Sequence, residues 1–293
     1  MFLCFRSYPP WENTMMLTPR SSRQWKSALT YAILSLGALF MLFPIFWMVT
    51  TAFKSESEIF ATPLHWLPST LHWENFTVPL TEKPFARWFF NSILIASSVT
   101  LGNLLISSLA GFGFAKYRFP GRGTLFLLIL ATFMIPLQVT MIPLFFIVKG
   151  LGWVNSYWGL IIPIMVDAFG IFLMRQFIDD IPNDYMDQAR IDGAPEWRIW
   201  WSVILPMTWP ILSALGILTF LASFDELLWP LILVTSDEMR TVPLGLATFE
   251  NTYQTIYNQL MAMALLAMIP VFIVFVVFQR RIIQGVTFTG LKG

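Results

Sequence analysis

Charged residues divide this chain into long apolar stretches. None of the 27 residues between Lys26 and Lys54 is charged, nor the 28 between Arg87 and Lys116, nor the 26 between Arg122 and Lys149. Another 26 separate Arg198 from Asp225, and 29 separate Glu250 from Arg280. Each gap exceeds the roughly 20 apolar residues that a helix needs to cross about 30 Å of hydrocarbon. A further stretch, Ser156 to Phe177, has the length of a span but holds Asp167. The pattern predicts an all-α integral membrane protein with six transmembrane helices at about 28–53, 88–115, 124–148, 156–177, 201–235 (overlong or broken) and 258–279. Residues 1–27 read as a cytoplasmic N-terminal tail, with Met15 and Met16 leaving a later start open, and 280–293 as a cytoplasmic C-terminal tail.

Lys and Arg set the orientation. With the N-terminus inside, the cytoplasmic side holds 13 of the 18, among them Lys116, Arg118, Arg122, Arg175, Arg190 and Arg198. The outer side holds Lys54, Lys83, Arg87, Lys149 and Arg240. Both termini are then cytoplasmic. Residues 54–87 form a long outer loop with Pro63, Pro68, Pro79 and Pro84, expected to lie across the membrane surface. The short basic turn KYRFPGRG at 116–123 makes the second and third helices antiparallel neighbours. The spans are rich in proline, with Pro44, Pro136, Pro143, Pro163, Pro210, Pro230 and Pro270 among those within them. Each removes a backbone donor and permits a kink.

The stretch from Arg175 to Trp200 is too long for a connector. Within it, Pro182 and Asn183 make a helix start, with Asn183 as cap and Asp184 in the first turn. Tyr185, Met186 and Ala189 share a side and give a short apolar face. Gly193 is a natural stop, because glycine reaches the left-handed conformation without a Cβ penalty. Pro195 opens a second short helix at its first position, with Glu196 behind it. Two short helices therefore meet at a glycine corner on the cytoplasmic side.

This loop resembles the permease signature of binding-protein-dependent ABC importers: E-A-A, three residues, G, nine residues, I-x-L-P. Asp187, Gln188 and Ala189 stand at the first three positions and Gly193 at the glycine. Nine residues, Ala194 to Ser202, then lead to Val203, Leu205 and Pro206. The spacing is kept; Asp, Gln and Val replace Glu, Ala and Ile at 187, 188 and 203. ARIDGA at 189–194, including Arg190 and Asp192, is similar to the carbohydrate branch of that family. So are AGFGFAKYRFPGRG after the second span, NSILIAS from Asn91 and the IPL repeats at Ile135 and Ile142. The terminal QRRIIQGVTFTGLKG resembles the second of two paired permease subunits, as in the maltose importer.

The resemblance runs from about residue 28 to 293 and implies a type I importer permease domain over 28–293. Residues 178–206 would be its coupling loop, docking on a cytoplasmic ATPase. Asp187 would be the anionic contact, Gly193 the corner, and Leu205 and Pro206 the link to the fifth span. The implied partners are a second permease subunit, two cytoplasmic ATP-binding subunits that carry the ATP and Mg, and an extracytoplasmic solute-binding protein. The implied setting is the bilayer of a bacterial cytoplasmic membrane.

Charges at membrane depth are the remaining candidates. Asp167 lies eight residues before Arg175, roughly 12 Å along a helix, hence near mid-bilayer. A carboxylate there costs on the order of 2.5–3.5 kcal/mol, so it faces the solute pathway or an interhelical partner. Asp225 and Glu226 follow Leu205 by about 30 Å of helix, near the outer boundary, where they serve a gate or are merely solvated. They stand in FDELL, a polar pair similar to one that recurs there in the family.

Composition narrows the classes further. The chain is 56% hydrophobic and 12% charged with net charge +1, which leaves no concentrated basic surface for nucleic acid. Cys4 is the only cysteine, excluding an internal disulfide and a Cys-based metal site, and His65 and His72 have no metal-ligand spacing. The chain lacks H-E-x-x-H, G-x-S-x-G and the P-loop pattern G-x-x-x-x-G-K-[ST], so it is not an enzyme by itself. An ion-coupled secondary transporter is the alternative, but such folds carry several buried ionisable groups and here Asp167 stands alone.

Overall fold

The computed structural model describes residues 20–248 and 256–290, with side chains described from Trp25 to Phe278 apart from Lys26 and the residues around the 249–255 gap. Among these residues the fold is helical throughout, with no strand. The chain runs α1 (Arg20–Ala52), α2 (Glu56–Ile59), α3 (Glu74–Glu82), α4 (Phe85–Lys116), α5 (Arg122–Phe133), α6 (Leu137–Gly150) and α7 (Tyr157–Ile161). It continues with α8 (Ala168–Asp179), α9 (Asp184–Ile191), α10 (Glu196–Ile199), α11 (Leu205–Met207), α12 (Trp209–Phe224), α13 (Leu228–Leu233), α14 (Val242–Ala247) and α15 (Tyr257–Gly290).

Three helices are continuous, apolar and long enough to cross a bilayer: Ser27–Ala52 within α1, all of α4, and Tyr257–Phe278 within α15. The other three predicted spans are bent pairs. The stretch predicted as a helix at 124–148 is α5 and α6 meeting at 102°. Pro136 is extended (φ −60°, ψ 140°), and a proline disfavours helical geometry in the residue before it. The stretch 156–177 is bent by 45° between Ile164 and Ala168. The predicted fifth span changes most. Its first part, through Met207, lies at 81° to α12, so the crossing helix begins at Trp209 rather than at 201. Pro206 and Pro210, four apart, each remove a helical donor, and Thr208 between them leaves helical geometry (φ −89°, ψ 3°). The chain just before them, Trp200–Ile204, winds as a π-helix, a form that marks helix irregularities.

Two boundaries also differ from the sequence pattern. α1 begins at Arg20, inside the stretch read as a tail, and α15 continues to Gly290 with no break at 280. The remainder of the expected tails, 1–19 and 291–293, lies outside the described residues, as does Glu250.

α4 is the axis. It packs most extensively on α8 and α12, while α15 joins α1 to α12. Asn103, Ser107 and Gly111 follow at intervals of four and line one stripe of α4, all buried. Such small and polar residues let membrane helices approach closely. A Cβ on Gly111 would stand 2.7 Å from the Met174 Cβ and 2.8 Å from the Arg175 backbone nitrogen. One on Gly170 of α8 would stand 2.5 Å from the Ser107 Oγ. Below this contact, Phe112, Met174, Ile178, Ile199, Ile204 and Leu215 form a core that joins the helix bundle to the 180–206 loop.

The outer face is tied down by hydrogen bonds to backbone. The Asn91 amide, fully buried, donates to Glu238 O (2.7 Å) and Arg240 O (2.8 Å) and accepts from the Tyr157 hydroxyl (2.7 Å). Ser92 Oγ accepts from Val242 N at 2.8 Å. The long outer loop is packed, not merely laid on a surface. Lys54 is fully buried, lies over the Trp47 ring at 4.3 Å and donates to His65 O, while Asn75 and Asn258 bond the Lys54 carbonyl. By contrast α1 exposes apolar side chains along most of its length, including Leu34, Leu36, Leu39 and Phe40, a surface suited to hydrocarbon or another apolar helix.

Because the α4–α8 contact is backbone against backbone at Gly111, Gly111→Val should destabilise the bundle by about 1–3 kcal/mol. Gly113→Ala, which has open space around its position, should leave stability unchanged. Thermal unfolding of the two variants in detergent, compared side by side, checks this.

Candidate functional site

Two places gather the sequence-predicted residues. The first is the glycine corner after α9. α9 ends with Asp192 as cap and Gly193 in the left-handed conformation (φ 77°). Gly193 N donates to Arg190 O at 3.0 Å and Ala194 N to Ala189 O at 2.9 Å, the paired bonds of a Schellman stop. A Cβ at Gly193 would meet nothing within 4 Å, so glycine is required by conformation and not by space. Pro195 sits just before α10 as its N-cap, one position earlier than expected. Asn183 makes no side-chain cap to α9, which starts on helical backbone at that residue (φ −67°, ψ −23°).

The apolar face of α9 is only partly as expected. Met186 is buried and Ala189 half-buried, packed with Ala194 and Ile199, but Tyr185 points away and is 49% exposed. On the outward side, Ile191 is 85% and Trp197 69% exposed. Gln188 and Asp192 are exposed as well.

Arg190 binds the corner together. Its guanidinium donates to Asp187 Oδ1 at 2.9 Å and forks onto Glu196 at 2.8 and 3.3 Å, spanning the glycine turn. The Tyr117 hydroxyl, from the turn after α4, donates to the second Glu196 oxygen. The Arg190 and Tyr117 bonds hold Glu196 below the usual carboxylate range. Burial, with the Glu196 bond behind it, pushes Tyr117 up to about 12, so the phenol keeps the proton that it donates. Glu196 also raises Arg190 above its ordinary value. Asp187 is therefore already paired, though 59% of its side chain is exposed. Beside this group, Lys116 Nζ donates to Ile181 O and Asp179 O, closing the C-terminus of α8. Leu205 is half-buried and Pro206 exposed at the 81° bend.

The second place is in the membrane. A cavity of about 420 Å³ between α4, α8 and α12 is lined by Asn103, Asp167, Thr219, Ser223 and Glu226 among apolar residues. Asp167 and Glu226, read from the sequence as lying at different depths, face the same space. Asp167 caps α8, its Oδ1 accepting from Phe169 N at 3.1 Å. Glu226 Oε1 accepts from Leu228 N (2.8 Å) and Trp229 N (3.1 Å) at the start of α13. Asn103 donates to Thr219 Oγ1 at 3.2 Å and accepts from Ser107 Oγ at 2.6 Å. Asp225, by contrast, is exposed beside the cavity and does not line it. Asn103, Thr219 and Ser223 escaped a reading based on charges alone; a polar amide in a charge-free span was the signal available.

A second groove, of about 480 Å³, runs between α4, α12 and α15 and is almost wholly apolar. Thr100, Ser108 and Ser213 on its wall bond carbonyls of their own helices, so it offers a polar solute little. Among the described residues no group of His, Cys, Asp or Glu could hold a metal ion.

Bent membrane helices around a polar cavity, continuous with a rigid helix corner at one end, define a transport permease. The chain matches the family model for the binding-protein-dependent transport system inner membrane component over residues 102–288, and it belongs to that family. It is 36% identical over 272 residues to the arabinooligosaccharides transport system permease protein AraQ of Bacillus subtilis, covering 92% of this chain and 96% of that one. It is 33% identical over 274 residues to the sn-glycerol-3-phosphate transport system permease protein UgpE of Escherichia coli, covering 90% and 97%. Its fold matches a chain of a bacterial ABC transporter involved in the import of the acidic polysaccharide alginate. That match has TM-score 0.78 and 23% identity over 89% of this chain and 97% of that one.

Gly193→Ala should destabilise the corner by about 1–2 kcal/mol, with faster hydrogen exchange at Ala194 and no change at the outer face. The Glu196 clamp has a defined pH window. A carboxylate held low contributes fully above its unfolded value and loses that contribution as pH falls through its depressed value. The Tyr117 contribution is full below about 10 and lost as pH rises through about 12. Hydrogen exchange of the corner should speed up at both ends of that window in the native chain, and Tyr117→Phe should abolish the alkaline limb and move the acid limb to higher pH, because Glu196 loses one of the bonds that hold it low.

Proposed function

We propose that the chain is one of two permease subunits of an ATP-driven importer for a sugar or sugar-like solute, set in a bacterial cytoplasmic membrane with both termini cytoplasmic. The names of the relatives favour a sugar or glycerol-linked solute. In this reading, residues 178–206 dock on one of two cytoplasmic ATP-binding subunits, which carry the ATP and Mg. A solute-binding protein delivers from the opposite side. The chain itself catalyses no reaction.

One observation carries the docking. Tyr185, Ile191 and Trp197 expose large apolar surface on a polar hairpin, at the end of the molecule that also carries Lys116, Arg118 and Arg122. Exposed apolar patches rimmed by charge mark binding sites. Because Arg190 already holds Asp187, the apolar face supplies the affinity, and the Asp187 carboxylate contributes a shared charge. The clamp from Asp187 through Arg190 and Glu196 to Tyr117 makes the corner and the end of α4 one body. A push on α9 therefore reaches α4 directly, and α8 through the Lys116 contact. Alternation between inward and outward access then follows from movement of α4 and α8 around the polar cavity, with Asp167 and Glu226 on the pathway and Asp225 at its margin.

Tagged chain purified gently from its native host should bring a second permease and a P-loop ATPase. Ile191→Asp with Trp197→Asp should weaken ATPase retention by about 2 kcal/mol, roughly 30-fold, without loss of the folded chain. Recovery of the chain alone, moving solute on an ion gradient without ATP, overturns this reading in favour of an ion-coupled secondary transporter.

A further inference from the structure

The cavity between α4, α8 and α12 has a composition that selects by charge. Its ionisable lining groups are Asp167 and Glu226, and no Lys, Arg or His lines it. Each carboxylate spends one oxygen on a helix start, Asp167 Oδ1 on Phe169 and Glu226 Oε1 on Leu228 and Trp229. The second oxygen of each takes no protein donor among the described residues. The Ser223 hydroxyl, on the same wall, is buried without a hydrogen-bond partner. Thr219 and Asn103 bond to each other, and the Thr219 hydroxyl retains its own proton to donate. The wall thus presents two negative acceptors and neutral hydroxyl and amide groups, with no positive charge to meet an anion.

We propose that this cavity is a solute pathway wall that accepts hydroxyl-bearing solutes without phosphate or carboxylate groups and turns anions away; the proposal rests on the permease reading. Solute hydroxyls donate to the two carboxylate oxygens and accept from Thr219. A phosphate or carboxylate has only acceptor oxygens for the same wall and brings like charge beside the two carboxylates, which repel it. One relative is named for sn-glycerol-3-phosphate and one structural neighbour for an acidic polysaccharide, both anionic, while another relative is named for uncharged arabinooligosaccharides. The cavity favours the uncharged class.

The test needs no knowledge of the solute. Cys4 is the only cysteine, so Thr219→Cys in a Cys4→Ser chain gives a single reactive thiol on the wall. The importer, purified with its partner subunits in detergent so that both faces are open, is treated with three methanethiosulfonates: cationic trimethylammonium-ethyl, neutral hydroxyethyl and anionic sulfonatoethyl. Modification is read from the mass of this chain, and each rate is divided by the reagent's rate with a free thiol. The cationic reagent should lead the anionic by at least about tenfold, the scale on which charged clefts change local concentrations. Raising salt should narrow the gap. Adding Asp167→Asn and Glu226→Gln should bring the ratio near one; if that variant does not assemble, the salt series decides. Equal cationic and anionic rates, or no reaction with any reagent, overturn the proposal. Failure of the permease reading looks different, because the chain then purifies without an ATPase.

Discussion

A helix cannot break inside an apolar surround without leaving backbone N–H groups that water does not reach, each costing several kcal/mol if unmet. This chain breaks its helices repeatedly, and side-chain oxygens stand at several of the interruptions. Asp167 meets the amide of Phe169 in the first turn of α8, Glu226 meets two donors of α13, and Asn155 meets the amides of Thr235 and Ser236 after α13. Two of the three are carboxylates, whose charge-assisted bonds are about twice as strong as neutral ones. The polar wall of the cavity is therefore not added to the fold. The break that Asp167 caps opens the space that Asp167 faces, and the same holds for Glu226.

A cavity between broken helices also needs a part that does not yield. α4 supplies it. Its stripe of Asn103, Ser107 and Gly111 brings α8 so close that Gly111 and Gly170 have no room for a Cβ. Asn91 and Ser92 fix its outer end to the 238–242 loop, and Lys116 and Tyr117 fix its inner end to the cytoplasmic loop. The two ends thus hold different kinds of structure on one straight helix. The spans most exposed to their surroundings, α1 and α15, lie outside this frame.

The sequence made the number of spans and the glycine corner between two short helices legible, because each depends on local signals: charge-free length and a positive-φ position. It misplaced what depends on direction. The span at 124–148 reads as one apolar run, and only Pro136 hints that it turns through 102°. The distance from Leu205 to Asp225 and Glu226 was counted along one straight helix, and the chain bends at Thr208 between them. Tyr185 was placed on the buried face by its spacing to Ala189, whereas the buried face of so short a helix centres on Met186. The Arg190–Glu196 pair was invisible for a related reason. Six residues apart, they are not helix neighbours, and only the Gly193 turn brings them within hydrogen-bond distance.

The corner and the cavity are linked by the same two helices. α8 runs from its Asp167 cap to Asp179, 12 residues or about 18 Å, and α4 passes from Asn103 to Tyr117 alongside it. Sliding of one past the other would drive Met174 and Arg175 across Gly111, where there is no clearance. Close packing of this kind is bistable and resists gradual deformation. α4 and α8 therefore form one close-packed pair. The attachment of α12 to the loop differs, because it passes through the 81° bend at Thr208 and the π-turn before it. That bend is the place where the chain is least regular between the two sites, and Thr219, Ser223 and Glu226 lie beyond it.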